Sequence, residues 1–230
     1  VLQVTRTAPE NENSPIVTPD GKTFSVVQTE VDKAQRLWRF DLDGTNPRLV
    51  LEHVKPVGYH VWVDATHLVL FVLGAAGEPN TLQYADTVTG TAEVIDSRIG
   101  RSLLMRPRTG TVSFISTPQG GRAVVKEFDP KTREIRTLVE TADAASQDCA
   151  WLPNGTLLMS SGARIFAWTP PRPGARSAAA PAAPAPSPWV EAGDFSSAGI
   201  ARITRMAVGP SSPGGPGAPR FVLVAEPLAK

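Results

Sequence analysis

Thr18-Pro19-Asp20-Gly21-Lys22-Thr23-Phe24-Ser25-Val26-Val27 is the stretch on which the fold turns. Asp-Gly supplies the pair that a tight hairpin turn needs, because glycine adopts positive φ without steric cost. The run from Phe24 to Val27 directly behind it has the composition of a short buried strand. The same arrangement returns along the chain. Asp64-Ala65 leads into Leu68 to Leu73, Thr109-Gly110 into Val112 to Ile115, and Asn154-Gly155 into Thr156 to Met159, at steps of 44, 45 and 45 residues.

A second landmark repeats behind the first. Phe40-Asp41, Tyr84 with Asp86, and Phe128-Asp129 each close a later strand, and a turn and an outer strand follow at 47–51, 92–95 and 135–139. Trp168 holds the same place in a fourth unit, with Thr169 where the aspartate would be. Each unit therefore reads as four short strands in about 45 residues, which is the blade of a β-propeller. One blade cannot bury both of its apolar faces, so the unit must repeat. The expected fold class is all-β: a β-propeller of four-stranded antiparallel blades, with about four complete blades plus partial first and last blades.

The spacing places the blades at 9–54, 55–98, 99–140, 141–195 and 196–230 of a single domain, the last holding strands near 203–208 and 221–225. Residues 1–8 read as the outer strand and exit of an earlier blade. Either Val1-Leu2-Gln3-Val4 helps close the last blade or further blades lie upstream, and a register that begins in mid-blade favours the second. The segment 171–188 is rich in proline and alanine and cannot build a strand ladder, so it reads as a disordered insertion loop. Residues 210–219 read as a smaller insertion of the same kind.

Composition narrows the function classes. The chain has 230 residues, 23 basic and 22 acidic, for a net charge of +1. That balance gives no general attraction to nucleic acid or to anionic membranes. No run of eighteen apolar residues suggests a transmembrane segment. A lone cysteine, Cys149, rules out an intrachain disulfide and reads as a small buried hydrophobe. No leader of basic then apolar residues is visible, so any export signal lies outside these residues.

The motifs point to a family. Ser14-Pro15-Ile16-Val17-Thr18-Pro19-Asp20-Gly21-Lys22, followed by Leu37-Trp38-Arg39-Phe40-Asp41-Leu42-Asp43-Gly44, resembles the repeat of TolB-like β-propellers. Trp151-Leu152-Pro153-Asn154-Gly155 is a further match; the second and third units keep the spacing without the signature. The resemblance implies a six- or seven-bladed propeller, a six-bladed parent being the expectation here, exported in bacteria and so periplasmic or secreted, that binds other proteins or ligands. With no recognisable catalytic site, the expected role is a non-catalytic binding or scaffold protein without cofactor, for a protein partner or a small polar or anionic ligand. Similar propellers also cap serine hydrolases of the prolyl-oligopeptidase type. No Gly-x-Ser-x-Gly elbow occurs here, so under that alternative the catalytic domain lies outside this chain.

His53, His60 and His67 are evenly spaced, but in strands that spacing does not gather them on one face, and no further metal ligand joins them. Ser102, His60 and Asp148 can be drawn as a triad, yet three blades would spread them around a ring. Asp41 and Asp43 suit a turn better than a calcium loop. Recurrent aromatics, Tyr84 and Trp151 among them, read as packing between blades rather than a sugar platform. The preferred site is the mouth of the central channel, where segments leading into the innermost strands would bring Ser14, Tyr59, His60, Arg101, Ser102, Asp148 and Arg205 together. Arg101 and Arg205 would recognise a carboxylate bidentately.

Overall fold

In the computed structural model the described residues are 2–171, 187–209 and 220–228. Eighteen strands are described, and sixteen of them build four-stranded antiparallel sheets. The first holds β1 (Asn11–Val17), β2 (Thr23–Thr29), β3 (Gln35–Asp41) and β4 (Arg48–Leu49). The second holds β5 (Val57–Trp62), β6 (His67–Val72), β7 (Thr81–Asp86) and β8 (Thr91–Ser97). The third holds β9 (Ile99–Met105), β10 (Val112–Ser116), β11 (Val124–Phe128) and β12 (Ile135–Glu140), and the fourth β13 (Cys149–Trp151), β14 (Leu157–Ser161), β15 (Arg164–Trp168) and β16 (Val190–Asp194). A two-stranded sheet of β17 (Ile200–Gly209) and β18 (Arg220–Pro227) ends the series. In every sheet the strands lie side by side in chain order. Repeated four-stranded meanders with a partial terminal sheet make this a partial β-propeller.

The turns that mark the repeat form as their residues dictate. Thr18 and Thr23 close the first hairpin through a backbone bond of 2.9 Å, with Gly21 at φ +67°. Asp20 accepts the Lys22 N–H at 3.1 Å and the Thr18 hydroxyl at 2.7 Å. At the fourth turn Asn154 accepts the Thr156 N–H at 3.0 Å and Gly155 takes φ +89°. Asp64 has no glycine behind it and instead caps its turn by accepting the N–H groups of Thr66 and His67.

The chain divides into two compact units. The first comprises Val1–Met105, Gly110–Gly121 and Lys126–Arg136; the second comprises Arg106–Thr109, Arg122–Val125 and Thr137–Lys230. Within the first unit β6 explains the packing. Leu68, Leu70 and Val72 point into one apolar cluster with Val27 and Leu37 of the first sheet. Val69 and Phe71 point the other way, into a cluster with Leu103 and Phe114 of the third. Successive side chains alternate faces, so a strand covered on both sides must be apolar throughout, and Leu68 to Val72 is. Within the second unit Leu158 and Ile165 pack against Ile203 and Met206 of the terminal hairpin.

Two expectations differ from what forms. Residues 2–7 are irregular rather than an outer strand. They are held by side chains instead of a ladder: the hydroxyls of Thr5 and Thr7 donate to Glu12, and the Val4 backbone lies against Gly44. The outer strand expected at 47–51 is only the two residues of β4, because Pro47 offers no N–H to a ladder and Leu51 turns inward to 1% exposure. Most of the proline-rich insertion (172–186) and all of 210–219 lie outside the described residues.

Candidate functional site

Six of the seven candidate residues lie on the first strand of a sheet, and Asp148 immediately precedes β13. Those first strands share an irregularity. β1 breaks register between Asn13 and Ile16, which sets Ser14 at φ +54°. β5 breaks between Val57 and Tyr59. On β9, Gly100, Arg101 and Ser102 all fall between the pairs at Ile99 and Leu103. β17 breaks between Ile200 and Arg202 and again between Ile203 and Arg205. A bulge re-aims side chains and leaves backbone groups outside the ladder, which is why bulges recur beside binding sites.

In the first unit β5 neighbours both β1 and β9, so the bulges at Ser14, Gly58-Tyr59 and Arg101-Ser102 fall on adjoining strands. Tyr59 is half-buried and its ring meets Phe71 edge-on at 5.6 Å, which fixes its direction. Arg101 is half-buried and Ser102 is buried.

His60 departs from the exposed position expected for it. It is 2% exposed, and its Nε2 lies 2.6 Å from Ser25 Oγ. Trp62 Nε1 donates to the same oxygen at 2.9 Å, while His60 Nδ1 has no partner among the described residues. Burial holds the imidazole pKa down at about 4, so the ring is neutral near pH 7. The pair has the separation of a nucleophile and its base, but Ser25 is 0% exposed and no carboxylate orients the ring. It is a core hydrogen bond. The only sequence clue to it was a serine inside the apolar run Phe24 to Val27. Because His60 is committed to Ser25, the drawn pairing with Ser102 does not form.

In the second unit Arg205 Nη1 lies 3.5 Å from Asp148 Oδ2. Burial raises the Asp148 carboxyl to about 6, against a backbone N–H from Met206 that favours the ionised form. The arginine stands at the long end of ion-pair range and 43% exposed, so desolvation outweighs it. Of this loosely held pair the Arg205 guanidinium is the group able to exchange its aspartate for another carboxylate, the more so once Asp148 is protonated.

The other histidines and aromatics have local partners. His67 bonds Asp64 at 2.9 Å and stacks on Tyr84 at 5.4 Å, and Arg133 lies over Tyr84 at 4.3 Å, so that ring already has stacking partners within the protein. His53 is exposed, so the three histidines occupy three environments. Asp43 accepts from the N–H and hydroxyl of Thr45, as a turn residue does. Among the described residues no group of three His, Cys, Asp or Glu side chains could hold a metal. No described helix is long and apolar enough to cross a membrane.

The fold is similar to that of solved β-propellers at low identity. TolB from Acinetobacter baumannii matches with a TM-score of 0.53 and 15% identity over 68% of this chain and 40% of that one. An auxiliary nutrient binding protein from Bacteroides thetaiotaomicron matches with a TM-score of 0.61 and 14% identity, over 93% of this chain and 52% of that one. The β-propeller domain of the Trilobed protease from Pyrococcus furiosus matches with a TM-score of 0.57 and 12% identity, over 95% and 64%. The chain thus spans less than two thirds of the length of each of these structures. No family model and no curated protein matches the chain.

Proposed function

We propose that this chain is a non-catalytic binding propeller of the TolB-like kind, recognising a protein partner or a small polar, anionic ligand through the bulged first strands of its sheets. The observation that carries the reading is the recurrence of a register break in β1, β5, β9 and β17, each beside a polar or aromatic side chain. In the first unit Ser14, Tyr59 and Arg101 form one recognition surface; in the second, Asp148 and Arg205 form another. Guanidinium groups supply bidentate contacts, and the Tyr59 ring supplies rigid apolar area at small entropic cost. A periplasmic or secreted location goes with this reading, by likeness to TolB.

The test is affinity capture from an extract of the source organism with the wild-type chain, Arg101→Ala and Tyr59→Ala, each checked for folding by circular dichroism. A species captured by the wild type and lost from both folded variants supports the reading; equal recovery by all three overturns it. A second reading is that the chain is the propeller of a prolyl-oligopeptidase-like serine hydrolase, favoured by the fit of 95% of the chain to a protease propeller domain. Labelling of the full-length gene product by a fluorophosphonate, at a serine outside residues 1–230, would favour it.

A further inference from the structure

Asp41 and Asp86 end the third strands of the first two sheets and Asp129 directly follows that of the third, which puts their neighbours in equivalent positions. In the second sheet Tyr84 lies two before Asp86 and sits opposite Glu93 on β8. Arg133, four after Asp129 in the third sheet, reaches this pair: its guanidinium lies 4.3 Å over the Tyr84 ring and bonds the Glu93 carboxylate. His67, opposite Asp86, stacks on the same ring with centroids 5.4 Å apart. His67, Phe128 and Arg133 thus pack around the Tyr84 ring.

The first sheet carries different residues at the same places. Arg39 lies two before Asp41 and sits directly opposite Arg48 on β4, and Thr23 stands where His67 does. Gly90, four after Asp86, is the counterpart of Arg133, and a Cβ built on it would meet nothing within 4 Å. Where the second sheet has this stack, the first has a crevice of about 580 Å³ whose lining includes Lys22, Arg39 and Arg48. Like charges directly opposite on paired strands repel. Arg48 finds Asp41 at 3.7 Å, but Arg39 Nε is buried and has no hydrogen-bond partner among the described residues. The three carboxylates that share the crevice spend their hydrogen bonds on other groups, Asp20 on Thr18 and the Lys22 backbone N–H, Asp43 on Thr45 and Asp41 on Asn46 at 2.7 Å, so that Asp41 reaches Arg48 only at 3.7 Å and Asp20 acts on the Arg39 and Lys22 side chains through its charge alone.

We propose that this crevice is an oxyanion site in which Arg39, flanked by Arg48 and Lys22, binds a carboxylate or phosphate group. With Nε buried, the Nη groups of Arg39, which have no hydrogen-bond or ion-pair partner among the described residues, are the edge that can meet two oxygens of either group, and the bound charge would relieve the Arg39–Arg48 repulsion. The site lies at the turn end of the first sheet, apart from the bulged strands of the proposed recognition surface, and either can fail without the other.

The experiment is a titration of the ¹⁵N-labelled full chain with inorganic phosphate, with acetate, and with sodium chloride at matched ionic strength, read by amide shifts. The expected result is saturable movement of amides around Arg39, Arg48 and Lys22, absent with chloride, and weakened about tenfold or more in Arg39→Gln. Saturation by phosphate alone or by acetate alone identifies which source the site takes. Should Arg39→Gln not fold, Arg48→Gln, at a side chain 54% exposed, gives the same comparison. Shifts that never saturate, that spread over basic residues generally, or that persist unchanged in the variant overturn the proposal.

Discussion

The buried His60 gives the structure a pH signature that can be worked out in sign and size. Its folded-state pKa is about 4 against an ordinary 6.5, because burial disfavours the imidazolium. Between those values the unfolded chain binds the proton and the folded chain does not. Stability from this group is therefore complete above pH 6.5, declines as the pH falls, and is fully lost near pH 4. At about 1.4 kcal/mol per pH unit the interval corresponds to about 3 kcal/mol. The assay is urea unfolding at half-unit steps from pH 7.5 to 4, comparing wild type with His60→Gln, whose amide can still bond Ser25 but cannot titrate. The difference between the two proteins should shrink by about 3 kcal/mol across that range. Parallel curves, or an imidazole titration by NMR with a midpoint at or above 6.5, would refute the reasoning.

Other perturbations have defined outcomes. Asp148 runs opposite in sign: its folded pKa of about 6 exceeds the ordinary 3.8, so its penalty is absent below 3.8 and complete above about 6. Asp148→Asn should therefore stabilise the second unit by on the order of 1–2 kcal/mol at pH 8, after allowing for lost contacts, and should do nothing favourable at pH 4; calorimetry at the two pH values checks this. Ser25→Ala removes the shared acceptor of Trp62 Nε1 and partner of His60 Nε2, and should cost about 2–3 kcal/mol in urea unfolding at pH 7. Gly44→Ala puts a Cβ 2.0 Å from the Val4 carbonyl oxygen at φ +85°, so residues 2–7 should be displaced, read as backbone shifts of Val4 and Thr5 moving toward random-coil values while those of β6 stay in place.

The sequence was most legible where backbone chemistry is local. Asp20-Gly21 and Asn154-Gly155 specify turns whatever surrounds them, and their spacing set the strands around them in register. Leu68 to Val72 announced burial on both faces because no polar residue interrupts it. The bulges were not legible. Ser14 at positive φ and the break around Arg101 arise where a first strand must satisfy its hairpin partner and its neighbouring sheet together, which is a tertiary constraint. For the same reason His60 looked like a loop residue. Its partner is 35 positions away, and nothing in Gly58-Tyr59-His60 says that a serine on the neighbouring sheet will receive it. The crevice at Arg39 became visible only when equivalent positions of two sheets could be laid side by side.

Side-chain NOEs on the methyl- and aromatic-labelled chain bear most directly on the packing from which each site is derived. NOEs should join Val27 or Leu37 to Leu68, Leu70 or Val72, and should separately join Val69 or Phe71 to Leu103 or Phe114. Contacts from all of Leu68 to Val72 to a single neighbouring sheet, or sequential helical NOEs through 67–72, would contradict the account.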